Sequence, residues 1–259
     1  MVINVYSFSL EVCVDSVESA INAQNGGADR IELCSNLIIG GTTPFLSLFK
    51  EVKKHTDIPL KVIIRPRFGD FLYTEYEKEM MTEDVETFKE LGADGIVFGI
   101  LTQNGNIDMK ACEKLKRKAG NMTITFHRAF DVCRDPLRAY NELEKLGIDM
   151  LLTSGQKNSC FEGKELLKEL VILSETGKKK KPEILIGAGL NISNVKEMIE
   201  YTGAKSFHFS AKQIVKSNMR YRKKGISMGL NGLDEYEKIE TEEKAVKEMK
   251  EYLKSCFKL

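Results

Sequence analysis

A short motif that begins with glycine recurs four times along the chain, each time where a helical pattern gives way to an apolar stretch. The copies are GADRIE at 27–32, GADGIV at 92–97, GIDMLL at 147–152 and GAKSFH at 203–208. Glycine adopts the left-handed conformation without strain, so it commonly follows the last residue of a helix and lets the chain turn into a strand. The repeat therefore predicts four helix-to-strand junctions.

Further strand candidates lie between the copies of the motif, at 8–14, 60–65, 122–127 and 183–188. Together the two sets give strands that begin near residues 8, 30, 60, 95, 122, 150, 183 and 206, each followed by a helical pattern. Eight such units in about 250 residues are typical of one α/β fold, the (β/α)8 TIM barrel. A doubly wound open sheet is the alternative, but it usually has fewer strands, and no Gly-x-Gly-x-x-Gly sequence follows the first strand here.

We expect one domain, residues 1–259, with a barrel core at about 8–215 and a closing loop and helix at about 216–259. In the closing segment, Ile239, Val246, Met249 and Leu253 are spaced seven, three and four residues apart. This spacing places apolar residues on one side of a helix. We therefore expect all four to face the barrel from one helix.

The charge balance excludes two classes of partner. Lys and Arg total 39 against 38 Asp and Glu, whereas binding to nucleic acid or to a membrane surface usually needs an excess of positive charge. The first residues have neither the charged nor the long apolar region of a signal peptide, and the six cysteines show no Cys-x-x-Cys spacing. We therefore expect a cytoplasmic protein with free thiols.

In a TIM barrel the functional side chains lie at the carboxyl ends of the strands, so alternation along each strand identifies the candidates. On the eighth strand, His208 and Ser210 alternate with Phe207 and Phe209, and the two phenylalanines suit the helix layer. Glu32 stands at the same place in its copy of the motif as His208. We therefore expect Glu32, His208 and Ser210 to face the barrel axis.

The first strand repeats the second in miniature, since Glu11-Val12-Cys13 resembles Glu32-Leu33-Cys34. Consecutive strands of a barrel are neighbours in space. The sequence therefore predicts that two carboxylates and two thiols face one another at the mouth.

The other strands also end in polar or small residues. The charged and ionisable ones are Arg65, Arg67, Asp70, His127, Arg128 and Asp131. The small ones, which suit a pocket that binds an anion through backbone N–H groups, are Ser154, Gly187, Gly189 and Ser210. Because ionised groups inside a barrel must be paired, this collection indicates either a ligand site or a structural network of ion pairs.

Several stretches closely resemble the CutC family of copper homeostasis proteins. They are LEVC at 10–13, GADRIELC at 27–34, GGTTP at 40–44, IRPR at 64–67, GDF at 69–71, TFHRAFD at 125–131 and LTSG at 152–155. The resemblance runs from about residue 8 to about residue 230 and implies a cytoplasmic barrel that forms homo-oligomers, dimers or tetramers, and takes part in copper handling. One departure is Phe68, where the family pattern usually has glycine, so the loop after the third strand is expected to differ.

The resemblance makes Cys13 and Cys34 the candidates for copper. Soft thiolates favour Cu(I), so two thiols on adjacent strands would bind it without a Cys-x-x-Cys loop. The main alternative for these thiols is that they are simply buried in the core, as free cysteines often are.

An enzyme acting on a small phosphorylated or carboxylated metabolite is the second hypothesis, and the sequence leaves the choice open. Glu11 or Glu32 would abstract a proton and His127 or His208 would donate one, as in a lyase, isomerase or hydrolase. The arginines would hold the anion, and Glu32 is expected to pair with Arg65 or Arg67. Schiff-base chemistry is not expected, because Lys61 lies at the bottom of the third strand. A hard divalent ion held by Glu11, Glu32, His127 and His208 has no diagnostic spacing.

Overall fold

Eight parallel strands close into a barrel in the computed structural model, which describes residues 8–176, 181–226, 228, 232 and 234–257. The strands are β1 (Ser9–Val14), β2 (Arg30–Leu33), β3 (Leu60–Ile63), β4 (Gly95–Phe98), β5 (Thr123–Phe126), β6 (Met150–Thr153), β7 (Glu183–Ile186) and β8 (Ser206–Phe209). Each strand pairs with the next along the chain, and β8 pairs with β1. The predicted (β/α)8 barrel is therefore confirmed, and the open sheet is excluded.

Helices surround the barrel. They are α1 (Val17–Asn25), α2 (Leu46–His55), α3 (Glu75–Glu90), α4 (Met109–Ala119), α5 (Pro136–Leu146), α6 (Lys164–Glu175), α7 (Ile192–Thr202) and α8 (Glu243–Phe257). The motif glycines have φ angles between +64° and +88°, so each takes the left-handed conformation at a helix end as the repeat predicts.

The core lies between the strands and the helices, with further side chains inside the barrel. Phe207 is fully buried and its ring packs against Phe257 of α8, so this face of β8 points outward as expected. Phe209 also packs against the core, but it borders the cavity at the mouth as well. The alternation on β8 therefore holds, and its last phenylalanine lies at the boundary between core and mouth.

The expectation that Glu11 and Cys13 lie level with Glu32 and Cys34 is wrong, because β1 and β2 pair in a different register. Cys13 pairs with Glu32 across the β1–β2 ladder, and Glu11 pairs with Arg30. The strands of a closed barrel are tilted and staggered, so equivalent positions on neighbouring strands lie at different depths. Glu11 consequently lies deeper in the barrel than Glu32.

The closing segment also differs from the prediction. Ile239 belongs to a strand, β10 (Glu237–Thr241), which pairs antiparallel with β9 (Lys212–Lys216) outside the barrel. Only Val246, Met249 and Leu253 form the buried face of α8. Spacing alone failed here because the seven-residue interval from Ile239 to Val246 crosses the end of β10 at Thr241 and the start of α8 at Glu243.

None of the helices in the described residues has both the length and the apolar character needed to cross a bilayer. The predicted lack of a signal peptide concerns residues 1–7, which lie outside the described residues.

Candidate functional site

A cavity of about 300 Å³ opens at the carboxyl ends of the barrel strands. Nine of the residues that the sequence singles out border it: Cys13, Glu32, Cys34, Arg65, His127, Arg128, Gly189, His208 and Ser210. They come from six different strands or the loops that follow them. The chain therefore brings distant parts of the sequence together at one mouth, as the strand alternation predicts.

The remaining candidates lie beside or beneath the cavity. Glu11 is below its floor, and Gly187 lies behind His208, where an added Cβ would come 3.3 Å from the histidine Cβ. Asp131 and Ser154 organise a neighbouring loop, while Arg67 and Asp70 face solvent. None of these six residues borders the cavity.

The carboxylate of Glu11 is the centre of a buried charge cluster. Its Oε2 accepts a hydrogen bond from Arg30 Nε at 2.6 Å and lies 3.3 Å from Lys61 Nζ, while its Oε1 lies 2.9 Å from His208 Nδ1. Burial alone would raise the pKa of Glu11, but Lys61, Arg30 and His208 outweigh it and hold the pKa well below its usual range. Glu11 is therefore an ionised anchor for three cationic side chains.

Glu32 is the carboxyl group that reaches the cavity wall. It is 5% exposed, its Oε2 makes no hydrogen bond, and that oxygen lies 3.5 Å from His208 Nδ1. Burial raises the pKa of Glu32 to about 7, with Glu11 adding to the effect and His208 opposing it. The expected pairing of Glu32 with Arg65 or Arg67 is wrong, since its charged neighbour is His208.

His208 lies between the two carboxylates. Burial lowers its pKa, but Cys13, Glu11 and Glu32 outweigh that effect and raise the pKa well above the usual value. His208 therefore connects the buried cluster around Glu11 to the groups that border the cavity.

Arg65 is held by the backbone of the loops above β2 and β3. It is 7% exposed; its Nη1 donates to the carbonyl of Gly41 at 2.9 Å and its Nη2 to the carbonyl of Gly69 at 3.1 Å. The guanidinium also lies 5.1 Å from the ring centre of Phe71. Arg65 therefore braces two loops while its edge borders the cavity.

His127 is buried and neutral. The backbone N–H of Ala129 donates to its Nδ1 at 3.1 Å, which places the proton of the neutral ring on Nε2. Burial, with the nearby Arg65 and Arg128, lowers the pKa of His127 to about 3. Its Nε2 makes no hydrogen bond within the described residues.

Arg128 is positioned by the loop after β6. Its Nε donates to Asp131 Oδ2 at 2.7 Å and its Nη2 to Ser154 Oγ at 3.1 Å. Asp131 also accepts from Thr153 Oγ1 at 2.5 Å and from the backbone N–H of Ser154 at 3.1 Å. Asp131 and Ser154, predicted to bind ligand, instead fix this loop and orient Arg128.

Arg67 and Asp70 form a surface ion pair rather than part of the mouth. Arg67 Nη2 donates to Asp70 Oδ1 at 2.9 Å, and its Nε donates to Glu77 Oε1 at 2.6 Å on α3. Both residues lie in the loop after β3, where strand alternation no longer determines which way a side chain points. Phe68 is exposed and does not border the cavity.

The two thiols lie at the cavity, Cys13 on β1 and Cys34 directly after β2. Cys13 Sγ lies 3.7 Å from the carbonyl oxygen of Phe209, and Cys34 Sγ donates to the carbonyl of Val14 at 3.3 Å. Burial raises the pKa of the Cys34 thiol well above its usual value, and the neighbouring Cys13 and Glu32 raise it further. The thiols are therefore close enough to influence one another.

Glu11, Glu32 and His208 are also close enough together to suggest a metal site, with ligand atoms within 4.8 Å of one another. Arg30 and Lys61 already occupy the carboxylate of Glu11, however. A divalent cation would have to enter against both positive charges. This donor set fits a hard metal poorly, whereas the two thiols are suited to a soft one.

Sequence reasoning missed Arg30, Phe71 and Lys212 in this region, and it placed Lys61 at the bottom of the third strand without its contact to Glu11. Alternation contained the signal for three of them. Arg30 is two residues before Glu32, Lys61 is four before Arg65, and Lys212 is two after Ser210. Lys61 does not border the cavity, as expected, but its ammonium group is buried against Glu11. Phe71 lies in a loop, where no periodicity predicts its direction.

Comparison with known proteins agrees with this architecture. The sequence profile of the CutC family matches residues 8–213.

The chain belongs to the CutC family.

Its relatives include the human copper homeostasis protein cutC homolog, 46% identical over 222 residues, which are 86% of this chain and 80% of the relative. A CutC family protein of Bacteroides fragilis is 44% identical over 255 residues, 97% of this chain and 99% of the relative. The crystal structure of CutC from Streptococcus agalactiae superposes with a TM-score of 0.73 at 32% identity, covering 78% of this chain and 98% of that one.

A more distant barrel shares the fold alone. Thiamine phosphate pyrophosphorylase from Pyrococcus furiosus has a TM-score of 0.55 at 18% identity, over 97% of this chain and 98% of that one. The family and the fold expected from the motifs are thus both confirmed.

We predict that acid destabilises the fold through His127. Its folded pKa of about 3 lies below the ordinary 6.5, so the unfolded chain binds the proton more readily between these pH values. The contribution of His127 to the free energy of unfolding is complete above pH 6.5. It falls on acidification by about 1.4 kcal/mol per pH unit. Urea unfolding at pH 6.5, 5.5 and 4.5 should show a shallower loss for His127→Gln than for the wild type. Parallel losses would contradict this assignment.

Proposed function

We propose that this CutC family protein binds Cu(I) through Cys13 and Cys34 at the mouth of the barrel. The observation that carries the proposal is the placement of two thiols at neighbouring strand ends, Cys13 on β1 and Cys34 directly after β2, both bordering the same cavity. Thiolates are soft ligands that favour Cu(I) over the hard divalent ions. Two relatives with closely similar sequences are named copper homeostasis proteins, which supports the same assignment.

The surroundings of the thiols suit a metal that enters from the cavity. His208 lies near Cys13, and Glu32 lies near Cys34, so each thiol has an ionisable neighbour. Bound Cu(I) requires thiolates, and the raised pKa of Cys34 means that binding releases a proton from this buried thiol. We propose Glu32 and His208 as the groups beside the metal, outside its sulfur ligands.

We further propose that the protein works in the reducing cytoplasm. All six cysteines are free, and five of them are buried. Thiols of this kind persist where glutathione and thioredoxin keep cysteines reduced. The homo-oligomer that the family resemblance implies, dimer or tetramer, stays a prediction.

A second candidate is an enzyme acting on a small phosphorylated or carboxylated metabolite. The specific observation that favours it is the carboxyl of Glu32, which borders the cavity with one oxygen that makes no hydrogen bond. Proton transfer needs such a group within reach of a bound substrate. His208, between Glu32 and Glu11, is the partner we propose for it.

We predict that Cys13→Ser combined with Cys34→Ser abolishes stoichiometric Cu(I) binding under reducing conditions. Serine keeps the size of the side chain but removes the soft ligand. Titration of the wild type and the double variant against a chromophoric Cu(I) chelator measures the loss, and circular dichroism checks that the barrel persists.

Cys256→Ser is the matched control, because Cys256 lies on α8, away from the cavity. This variant should bind copper as the wild type does. A double variant that still binds stoichiometric Cu(I) at unchanged affinity would rule out the proposed site.

We predict that Glu32→Gln changes the Cu(I) dissociation constant by less than about threefold, because Cu(I) prefers the sulfur ligands. The same chelator competition measures it. A loss of more than about tenfold would instead place copper on the carboxylate and imidazole groups of Glu11, Glu32 and His208.

A further inference from the structure

The positive charge at the mouth exceeds the negative charge that the chain supplies there. Arg128 is paired with Asp131. Arg65 and Lys212 also border the cavity, yet neither has a carboxylate within 4.0 Å among the described residues. The acidic side chain on the cavity wall is Glu32, and its charged neighbour is His208. Within the part of the chain that the structure describes, two cations at the mouth are therefore left without a counter-charge.

Arg65 is the more informative of the two because it is buried. Its hydrogen bonds go to backbone carbonyls and its other polar neighbour is the hydroxyl of Tyr73, so none of these partners carries a charge. A buried charge without a counter-charge destabilises the folded protein, and an anionic ligand would relieve that cost. Tight bracing of the loops explains where the guanidinium lies, but it does not neutralise the charge.

His127 places a second unused donor beside Arg65. Its Nε2 carries the proton of the neutral ring and makes no hydrogen bond, and the residue is 4% exposed. The ring of Phe71 lies 4.9 Å from the ring of His127 and 5.1 Å from the guanidinium carbon of Arg65. The two donors therefore belong to one region of the cavity wall, next to Phe71.

We propose that this wall is a binding site for a small organic anion, whose carboxylate or phosphate oxygens accept hydrogen bonds from Arg65 and His127. Lys212 at the rim adds charge attraction as the ligand enters. Carboxylate and phosphate share negatively charged oxygens, which can accept hydrogen bonds from both the charged guanidinium of Arg65 and the neutral ring of His127. A cavity of about 300 Å³ limits the ligand to the size of a small metabolite.

The proposal goes beyond copper binding and does not depend on it. The thiols lie on β1 and the loop after β2, whereas Arg65 and His127 follow β3 and β5. If the organic anion binds, it also supplies the ligand that the second candidate function needs. Measurements on metal-free protein keep the two questions separate.

The experiment is isothermal titration calorimetry of the metal-free, full-length protein in a buffer without phosphate, at constant ionic strength. Malonate is the carboxylate probe, with malonamide as its neutral counterpart. Ribose 5-phosphate is the phosphate probe, with ribose as its neutral counterpart. We expect at least one anion to bind with a dissociation constant below about 1 mM and its neutral counterpart to bind at least about tenfold more weakly.

Two variants locate the site. Arg65→Gln should weaken binding at least about tenfold, since it removes the buried charge and its donors. Because Arg65 also braces two loops, this variant can fail to fold, so Lys212→Gln on the exposed rim provides the second test and should weaken binding about threefold. Lys216→Gln is its matched control, on the same strand but away from this cavity, and should bind as the wild type does.

Each outcome decides the proposal. An anion that binds more tightly than its neutral counterpart, and loses affinity in Lys212→Gln but not in Lys216→Gln, supports the site and identifies the preferred group. Failure of both anions to bind at 20 mM, about twentyfold above the expected constant, overturns it. Equal binding of the neutral counterparts, or unchanged binding in Lys212→Gln and in folded Arg65→Gln, also overturns it.

Discussion

The buried carboxylate of Glu11 is the interaction on which the mouth of this barrel depends. It is inaccessible to solvent and joins cationic side chains from three other strands: Arg30 on β2, Lys61 on β3 and His208 on β8. Removing one member of such a cluster leaves buried charge unpaired, at a cost of about 3–5 kcal/mol. The cluster therefore fixes the strands on either side of the β8–β1 closure and sets the position of His208 at the cavity.

Above that anchor the cavity is bordered by groups of two different chemistries. Cys13 and Cys34 provide soft sulfur on β1 and after β2, with Glu32 and His208 beside them. Arg65 and His127 provide hydrogen-bond donors after β3 and β5. A barrel permits this separation because each strand end contributes independently to one mouth. Metal binding and binding of an organic anion can therefore be tested one at a time.

Much of this arrangement is predictable from the sequence, because period-two alternation and the recurring glycine motif report local backbone geometry. They place Glu32, His208 and both thiols at the mouth, and the CutC resemblance adds the family. Alternation does not report the relative depth of neighbouring strands, which depends on the stagger of the closed barrel. Alternation therefore places Glu11 too near the surface. Loop residues such as Arg67 and Asp131 follow no regular alternation, so their contacts can be seen only in the structure.

X-ray absorption spectroscopy of the protein loaded with Cu(I) under reducing conditions tests the central claim most directly, since it reports the atoms bound to the metal. The account predicts a first shell made of sulfur from Cys13 and Cys34, both of which border the cavity. A first shell of nitrogen and oxygen alone would place copper on the histidine and carboxylate groups and contradict the account.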